Sequence, residues 1–200
     1  MATSTSDLVT LRRDIHRHPE TAFEEHRTAR IVADELERLG IACVTGIAGT
    51  GVVGTLQRGE GPAIGLRADL DALHLQEENH FEHRSIRDGR MHACGHDGHV
   101  AMLLGGARRL VESPRLAGTV HFIFQPAEEN ECGGRVMIED GLFERFPMQR
   151  VFGMHNWPGL PAGDFAVCDG PIMAAFDTLE IVIGGRAAHA AMPQDGDDTV

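Results

Sequence analysis

The segment Met91-His92-Ala93-Cys94-Gly95-His96-Asp97-Gly98-His99 carries three imidazoles and one thiol. Cysteine and histidine are soft and borderline donors suited to zinc, manganese, cobalt or nickel, and a thiolate can bridge two cations. A second segment, Gln125-Pro126-Ala127-Glu128-Glu129-Asn130, sets two carboxylates directly behind an apolar run. His155 leaves another apolar run in Gly153-Met154-His155-Asn156-Trp157-Pro158-Gly159, and His189 lies within Ala188-His189-Ala190-Ala191-Met192-Pro193. Adjacent glutamates leaving a strand point to different sides, so one can bind a cation while the other handles a proton. A glutamate beside a metal-activated water serves as general base and returns the proton to a leaving amine, so hydrolysis is the chemistry that follows. A second metal, Asn156 or His189 would stabilise the oxyanion. The same residues admit two other readings: a thiol hydrolase with Cys94 as nucleophile and His96 or His99 as its base, or a metal-binding module without turnover.

Those groups need a frame. Asp7 to His18 and Glu24 to Leu39 read as helices, the second with Ala29, Val32, Ala33, Leu36 and Leu39 on one face and Gly40 at its end. Gly51 to Leu56 and Ala63 to Arg67 read as strands, and a helix runs from Asp97, taken as its N-cap, to just before Pro114. Thr119 to Gln125 is a buried strand stopped by Pro126; a helix at Gly134 to Asp140 follows, then strands at Arg150 to Met154, Asp164 to Cys168 and Thr178 to Gly184. This alternation predicts an α/β fold with a mixed, largely buried sheet flanked by helices. Asp69, the Glu128-Glu129 pair and His155 each follow a strand, where open α/β sheets gather functional groups. Most of the other histidines, His16, His18, His26, His74, His80, His83 and His121, read as surface or capping residues.

Residues 1–175 read as one domain and 176–200 as the start of a smaller α+β domain. Asp198 reads as the cap of a helix outside these 200 residues, so a longer protein is expected. Eighteen basic against thirty acidic side chains give a net charge of −12, which repels phosphate backbones and anionic lipid and argues against nucleic acid and membranes as partners. Met1 to Thr10 lacks the basic-then-apolar pattern of a secretory signal, and four cysteines are too few and irregular for a disulfide framework, so a cytoplasmic protein with reduced thiols is expected. The chain has no Gly-x-Ser-x-Gly elbow, phosphate loop or dinucleotide fingerprint.

Six segments in order carry a resemblance: Arg13 to Glu20 (RDIHRHPE), Leu66 to Leu73 (LRADLDAL), His92 to His99, Pro126 to Glu129, Gly153 to Asn156 and Ala188 to Pro193. Together the chain resembles the hippurate hydrolase and N-acyl-amino-acid amidohydrolase group of di-metal peptidases. The resemblance implies two divalent metals, manganese or zinc first, with Cys94 bridging, His96, Glu129 and His155 as further ligands, and Glu128 as general base. It implies Asp69 as a supporting aspartate behind the ligands and His189 as a substrate-contacting histidine reaching a site from a lid domain. A small N-acyl amino acid is the implied substrate and a homodimer through the lid the implied assembly. A further metal-binding histidine is expected toward the C-terminus. The chain departs from the group in the loop after the paired glutamates, usually glycine-rich but here Asn130-Glu131-Cys132-Gly133-Gly134, and at Ala187 and Ala188, where glycines are common.

Overall fold

The computed structural model describes residues 5–175 and 177–197. By its internal packing the chain divides into two compact units, one ending at Pro158 and the other beginning at Gly159.

In the first unit, helices α1 (Thr5–Arg17) and α2 (His26–Arg38) precede strands β1 (Ala42–Ile47), β2 (Gly51–Arg58) and β3 (Ala63–Asp69). Helix α3 (His96–Glu112), strand β4 (Gly118–Gln125), helices α4 (Gly133–Glu139) and α5 (Leu142–Arg145) and strand β5 (Arg150–Gly153) follow. The sheet order is β1-β2-β4-β3-β5. β2 is antiparallel to both β1 and β4, whereas β3 is parallel to both β4 and β5. The sheet is therefore mixed and helix-flanked, as the alternation of patterns predicts.

Period-two alternation divides the core between two faces of the sheet. In β4, Val120, Phe122 and Phe124 point into a cluster with Ile15, Val32, Leu36, Val100 and Leu104 beneath α1, α2 and α3. Ile123 points the other way, to Met137, Leu142 and Phe146 of α4 and its continuation. α2 forms because Ala29, Val32, Ala33 and Leu36 bury one stripe while Arg30, Asp34 and Glu37 stay in solvent.

The parallel register positions everything chemical. Asp69 pairs with Gln125 and Arg67 with Gly153, so β3, β4 and β5 end at one edge of the sheet and release Asp69, Pro126 to Glu129 and His155 there. The long excursion after β3 is closed by a backbone bridge between Leu73 and Met91, which exchange N–H to carbonyl bonds of 3.0 and 3.1 Å. That bridge returns His92 to His96 to the same edge.

Several expectations are corrected. The sequence pattern signals neither β1 nor α5: β1 is short and mostly exposed, and it pairs with β2 at one end of the sheet. β5 is an exposed edge strand. In the second unit the described residues contain one 3-10 turn, Pro193–Asp195, and neither Asp164 to Cys168 nor Thr178 to Gly184 is a strand. Their apolar side chains, Val167 and Val182 among them, are exposed, and an extended run needs a paired neighbour for its backbone groups. Asp198, expected to cap a helix, lies outside the described residues.

Asp97 is not the N-cap of α3. Gly95 takes that position in the left-handed conformation (φ 96°), and Asp97 turns its carboxylate toward α1. There Asp97 Oδ2 lies 2.9 Å from His16 Nδ1 and accepts from Arg12 Nε at 3.1 Å, while His16 Nε2 lies 3.3 Å from Glu77 Oε1. His16 is thus buried, not a surface or capping residue; His121 is buried as well, its Nδ1 3.0 Å from Thr55 Oγ1. The hydrogen bond with Asp97 raises the His16 pKa above its ordinary value, overcoming burial, with Glu77 adding to the effect. Burial works to raise Asp97 and Glu77, but the groups that bind them, His16 for Asp97 and the Ser85 amide for Glu77, leave both carboxyls below the usual range.

A raised histidine pKa contributes stability that is complete below its unfolded value and is lost as pH climbs through the folded one. The depressed carboxyls contribute stability that is lost as pH falls through their folded values. Stability should therefore decline as pH rises above the ordinary histidine range, where a histidine with a raised pKa loses its proton. His16→Gln should flatten that decline and cost about 1–3 kcal/mol at pH 6, since it leaves buried acceptors short of a donor. Urea melts of both proteins across this range check the point, and parallel curves would contradict it.

Candidate metal centre

His96 sits in the first turn of α3 and His99 one turn later on the same face, because residues three apart are neighbours on a helix. Gly95 allows the close approach of β5's exit: a side chain there would collide with the Asn156 amide. The sheet edge then faces the helix start, with His96 fully buried at the meeting point.

His96 Nδ1 is 3.3 Å from Asp71 Oδ1. Its other nitrogen, Nε2, has no hydrogen-bond partner although it is buried. Around Nε2 lie Glu129 Oε1 at 3.6 Å, Asp69 Oδ2 at 3.7 Å and Glu128 Oε2 at 3.9 Å. Glu129 Oε1 is likewise buried and unpartnered. Cys94 Sγ lies 3.3 Å from His155 Nε2. His155 Nδ1 donates to the Asn156 carbonyl at 2.7 Å, which leaves the Nε2 lone pair facing the sulfur.

Three overlapping triads with donor atoms mutually within 4.8 Å share His96: Cys94-His96-His155, Asp69-His96-His99 and His96-Glu128-Glu129. Cys94, His96, Glu129 and His155, separated by up to 61 residues in sequence, therefore converge. Glu128 joins them with its side chain 41% exposed, against 16% for Glu129, so the pair divides into an outward and an inward carboxylate.

Burial would raise Asp69, yet a 2.6 Å contact with His99 and the Arg67 guanidinium hold its carboxyl well below the usual range. Asp71 is lowered in the same way against its burial, by His96 and the backbone amides of Glu129 and Glu128. Burial lowers His96, but Asp71, Asp69 and Glu129 outweigh it and raise its pKa. Glu129 is raised, first by burial. The Cys94 thiol is pushed up to about 12 by burial and by Glu129, Glu128 and Asp69. A nucleophilic cysteine needs the opposite surroundings. The donor set fits a divalent cation: two imidazoles, a thiol and carboxylates around buried, unpartnered N and O atoms are groups that positive charge would satisfy.

Asn156 engages His99, with Oδ1 2.7 Å and the backbone nitrogen 3.2 Å from Nε2. His189 belongs to the second unit, where Nδ1 accepts the Ala191 N–H at 3.1 Å. Cys132 is exposed at the start of α4, in a left-handed backbone conformation. Asp71 and His99 are the residues that sequence reasoning underweighted. Both are buried polar residues bonded to other members of the site, and the signal was present in their spacing: Asp69 and Asp71 flank the core residue Leu70, and His99 is three residues from His96.

Comparison with known proteins agrees with this architecture. The family model described as Peptidase family M20/M25/M40 matches residues 65–197. Among curated proteins, an IAA-amino acid hydrolase ILR1-like 2 of Arabidopsis thaliana is 45% identical over 194 residues, covering 96% of this chain and 44% of its own length. The hippurate hydrolase of Campylobacter jejuni is 43% identical over 191 residues, covering 95% and 50%. A crystal structure of a Bacillus subtilis dinuclear metal binding peptidase of the M20 family superposes with a TM-score of 0.79 at 43% identity, over 83% of this chain and 47% of that one. The chain spans about half the length of the curated relatives it matches. No described helix is long and apolar enough to cross a membrane. With the family model covering most of the chain and the sheet-edge cluster in place, the chain belongs to peptidase family M20/M25/M40.

Proposed function

We propose that the protein is a metal-dependent amidohydrolase that cleaves the amide of small N-acyl amino acids, hippurate-like, N-acetyl or related conjugates. The observation that carries this reading is the buried His96 Nε2, unpartnered and ringed by Glu129, Asp69 and Glu128, with Cys94 and His155 alongside. Relatives with the printed activities of a hippurate hydrolase and an IAA-amino acid hydrolase support the substrate class.

In this reading Cys94, His96, Glu129 and His155 hold two divalent cations, manganese or zinc in preference to cobalt or nickel. When bound, the cations polarise the scissile carbonyl and make water acidic enough to be deprotonated near neutral pH. Glu128, the outward member of the pair, takes a proton from the attacking water and passes it to the leaving amine, so that amide plus water becomes carboxylate and amine. Asp71 fixes the His96 ring from behind, and Asp69 fixes His99, which in turn holds Asn156 at the rim. Residues 1–175 supply the N-terminal part of the catalytic domain, and 176–200 begin a lid and dimerisation domain from which His189 meets substrate. In the whole protein a homodimer forms through that lid.

Chelation of the full-length protein should abolish turnover of an N-acyl amino acid panel, and manganese or zinc should restore it; Cys94→Ser should lower metal content by elemental analysis with circular dichroism unchanged. Activity that persists in metal-free protein and disappears on thiol alkylation would favour the thiol hydrolase instead. Bound metal without turnover of any panel member would favour a binding module.

Glu128→Gln should keep metal and fold while lowering kcat about 10²–10⁴-fold, the usual contribution of general acid–base catalysis. Steady-state kinetics check this, and near-normal kcat would remove Glu128 from the role.

A further inference from the structure

Glu25 closes the turn before α2 and is completely buried, an unusual place for a carboxylate that has no basic partner among the described residues. Neither of its oxygens is idle. Oε1 accepts the Ala127 backbone N–H at 2.9 Å, across 102 residues of sequence, and Oε2 accepts the Thr50 hydroxyl at 2.5 Å. Ala127 is the residue immediately before the Glu128-Glu129 pair. It is fully buried and sits at φ 51°, in the left-handed region that a residue with a side chain adopts only when its surroundings impose it.

The rest of this turn is equally constrained. The Gly133 N–H donates to the Ala127 carbonyl at 2.9 Å, and a side chain at Gly133 would overlap the Pro126 carbonyl. Asp71 accepts the Glu129 N–H at 3.0 Å. The amides of 127 and 129, either side of Glu128, are thus gripped by two buried carboxylates: Glu25 from the α2 side and Asp71 just beyond the end of β3.

We infer that Glu25 is a positioning residue for the reaction: by holding Ala127 in its left-handed conformation it sets the directions in which Glu128 and Glu129 leave the chain, one outward and one toward His96. The inference rests on the reading of Glu128 as proton carrier. Its physical basis is geometric. Losing the Ala127 bond removes the compensation for a strained φ, the turn relaxes, and both carboxylates move relative to His96. A displacement of about 1 Å at reacting groups costs on the order of a hundredfold in rate.

The test uses the full-length, metal-loaded protein and five variants. Glu25→Ala should lower kcat by roughly tenfold to a hundredfold with KM within about twofold. It should also speed hydrogen exchange of the amides of 127–129 by at least about tenfold, since the 127 amide loses its acceptor. Glu25→Gln keeps a carbonyl oxygen for Ala127 and lets the Thr50 hydroxyl turn to accept, so it should restore kcat to within about threefold. Val32→Ala, a core change in α2, should lower melting temperature without altering kcat per folded site, its pH profile or exchange in 127–129. If Glu25→Ala does not fold, Thr50→Val serves in its place, with the same direction in kcat and exchange.

Unaltered exchange at 127–129, a kcat matching Val32→Ala, or a loss confined to KM would each overturn the positioning role. Glu128→Gln measured alongside separates the two readings. Full turnover in that variant defeats the proton-carrier reading, whereas lost turnover there together with normal turnover in Glu25→Ala defeats only the role of Glu25.

Discussion

One buried imidazole nitrogen organises this molecule. His96 Nε2 is removed from water, has no hydrogen-bond partner and is surrounded by three carboxylates, two of them strongly shielded from solvent. Such crowding of acidic groups is electrostatically unfavourable by itself, because burial penalises each charge and like charges penalise one another. Within the protein the penalty is met by Arg67 and His99 on Asp69, and by His96 and backbone amides on Asp71. For Glu129 the help from His96 and Cys94 falls short of the cost of burial, and burial and the neighbouring carboxylates all act against the Cys94 thiolate, so both are pushed toward their protonated forms. The polypeptide thus leaves uncompensated those donors that a cation would satisfy.

The arrangement depends on three parallel strands. Because β3, β4 and β5 run the same way, their ends share one edge, and residues 69, 128, 129 and 155 need no long loop to reach one another. α3 points its first turn at that edge and contributes His96 and His99 on one face. The central strands are buried on both sides by apolar clusters, so the edge is held on a rigid base.

Behind the cluster lies a second polar layer. Asp97 ties α3 to Arg12 and His16 of α1, His16 reaches Glu77, and Glu25 ties the turn before α2 to the residue preceding the glutamate pair. His16, Glu25, Glu77 and Asp97 are all buried and each has specific partners, the usual condition for polar groups tolerated in a core. Together they connect the N-terminal helices, which carry none of the proposed ligands, to the backbone that does.

The residue types that could do chemistry, their strand-end placement and the helices α1 to α4 were legible in the sequence, because metal donors, apolar periodicity and breakers such as Pro126 act locally. The chain alone also marked Glu128 and Glu129 as a pair facing two ways. It did not reveal that Asp97 would abandon capping for His16, that His16 would be buried, or that Asp71, His99 and Glu25 would brace the site. Nor did it reveal that the apolar runs at 164–168 and 178–184 are not strands among the described residues, since an extended segment becomes a strand only when a neighbour pairs with it. These outcomes were decided by tertiary structure: hydrogen-bond partners 25 to 102 residues apart exist only once the parallel register has brought them together.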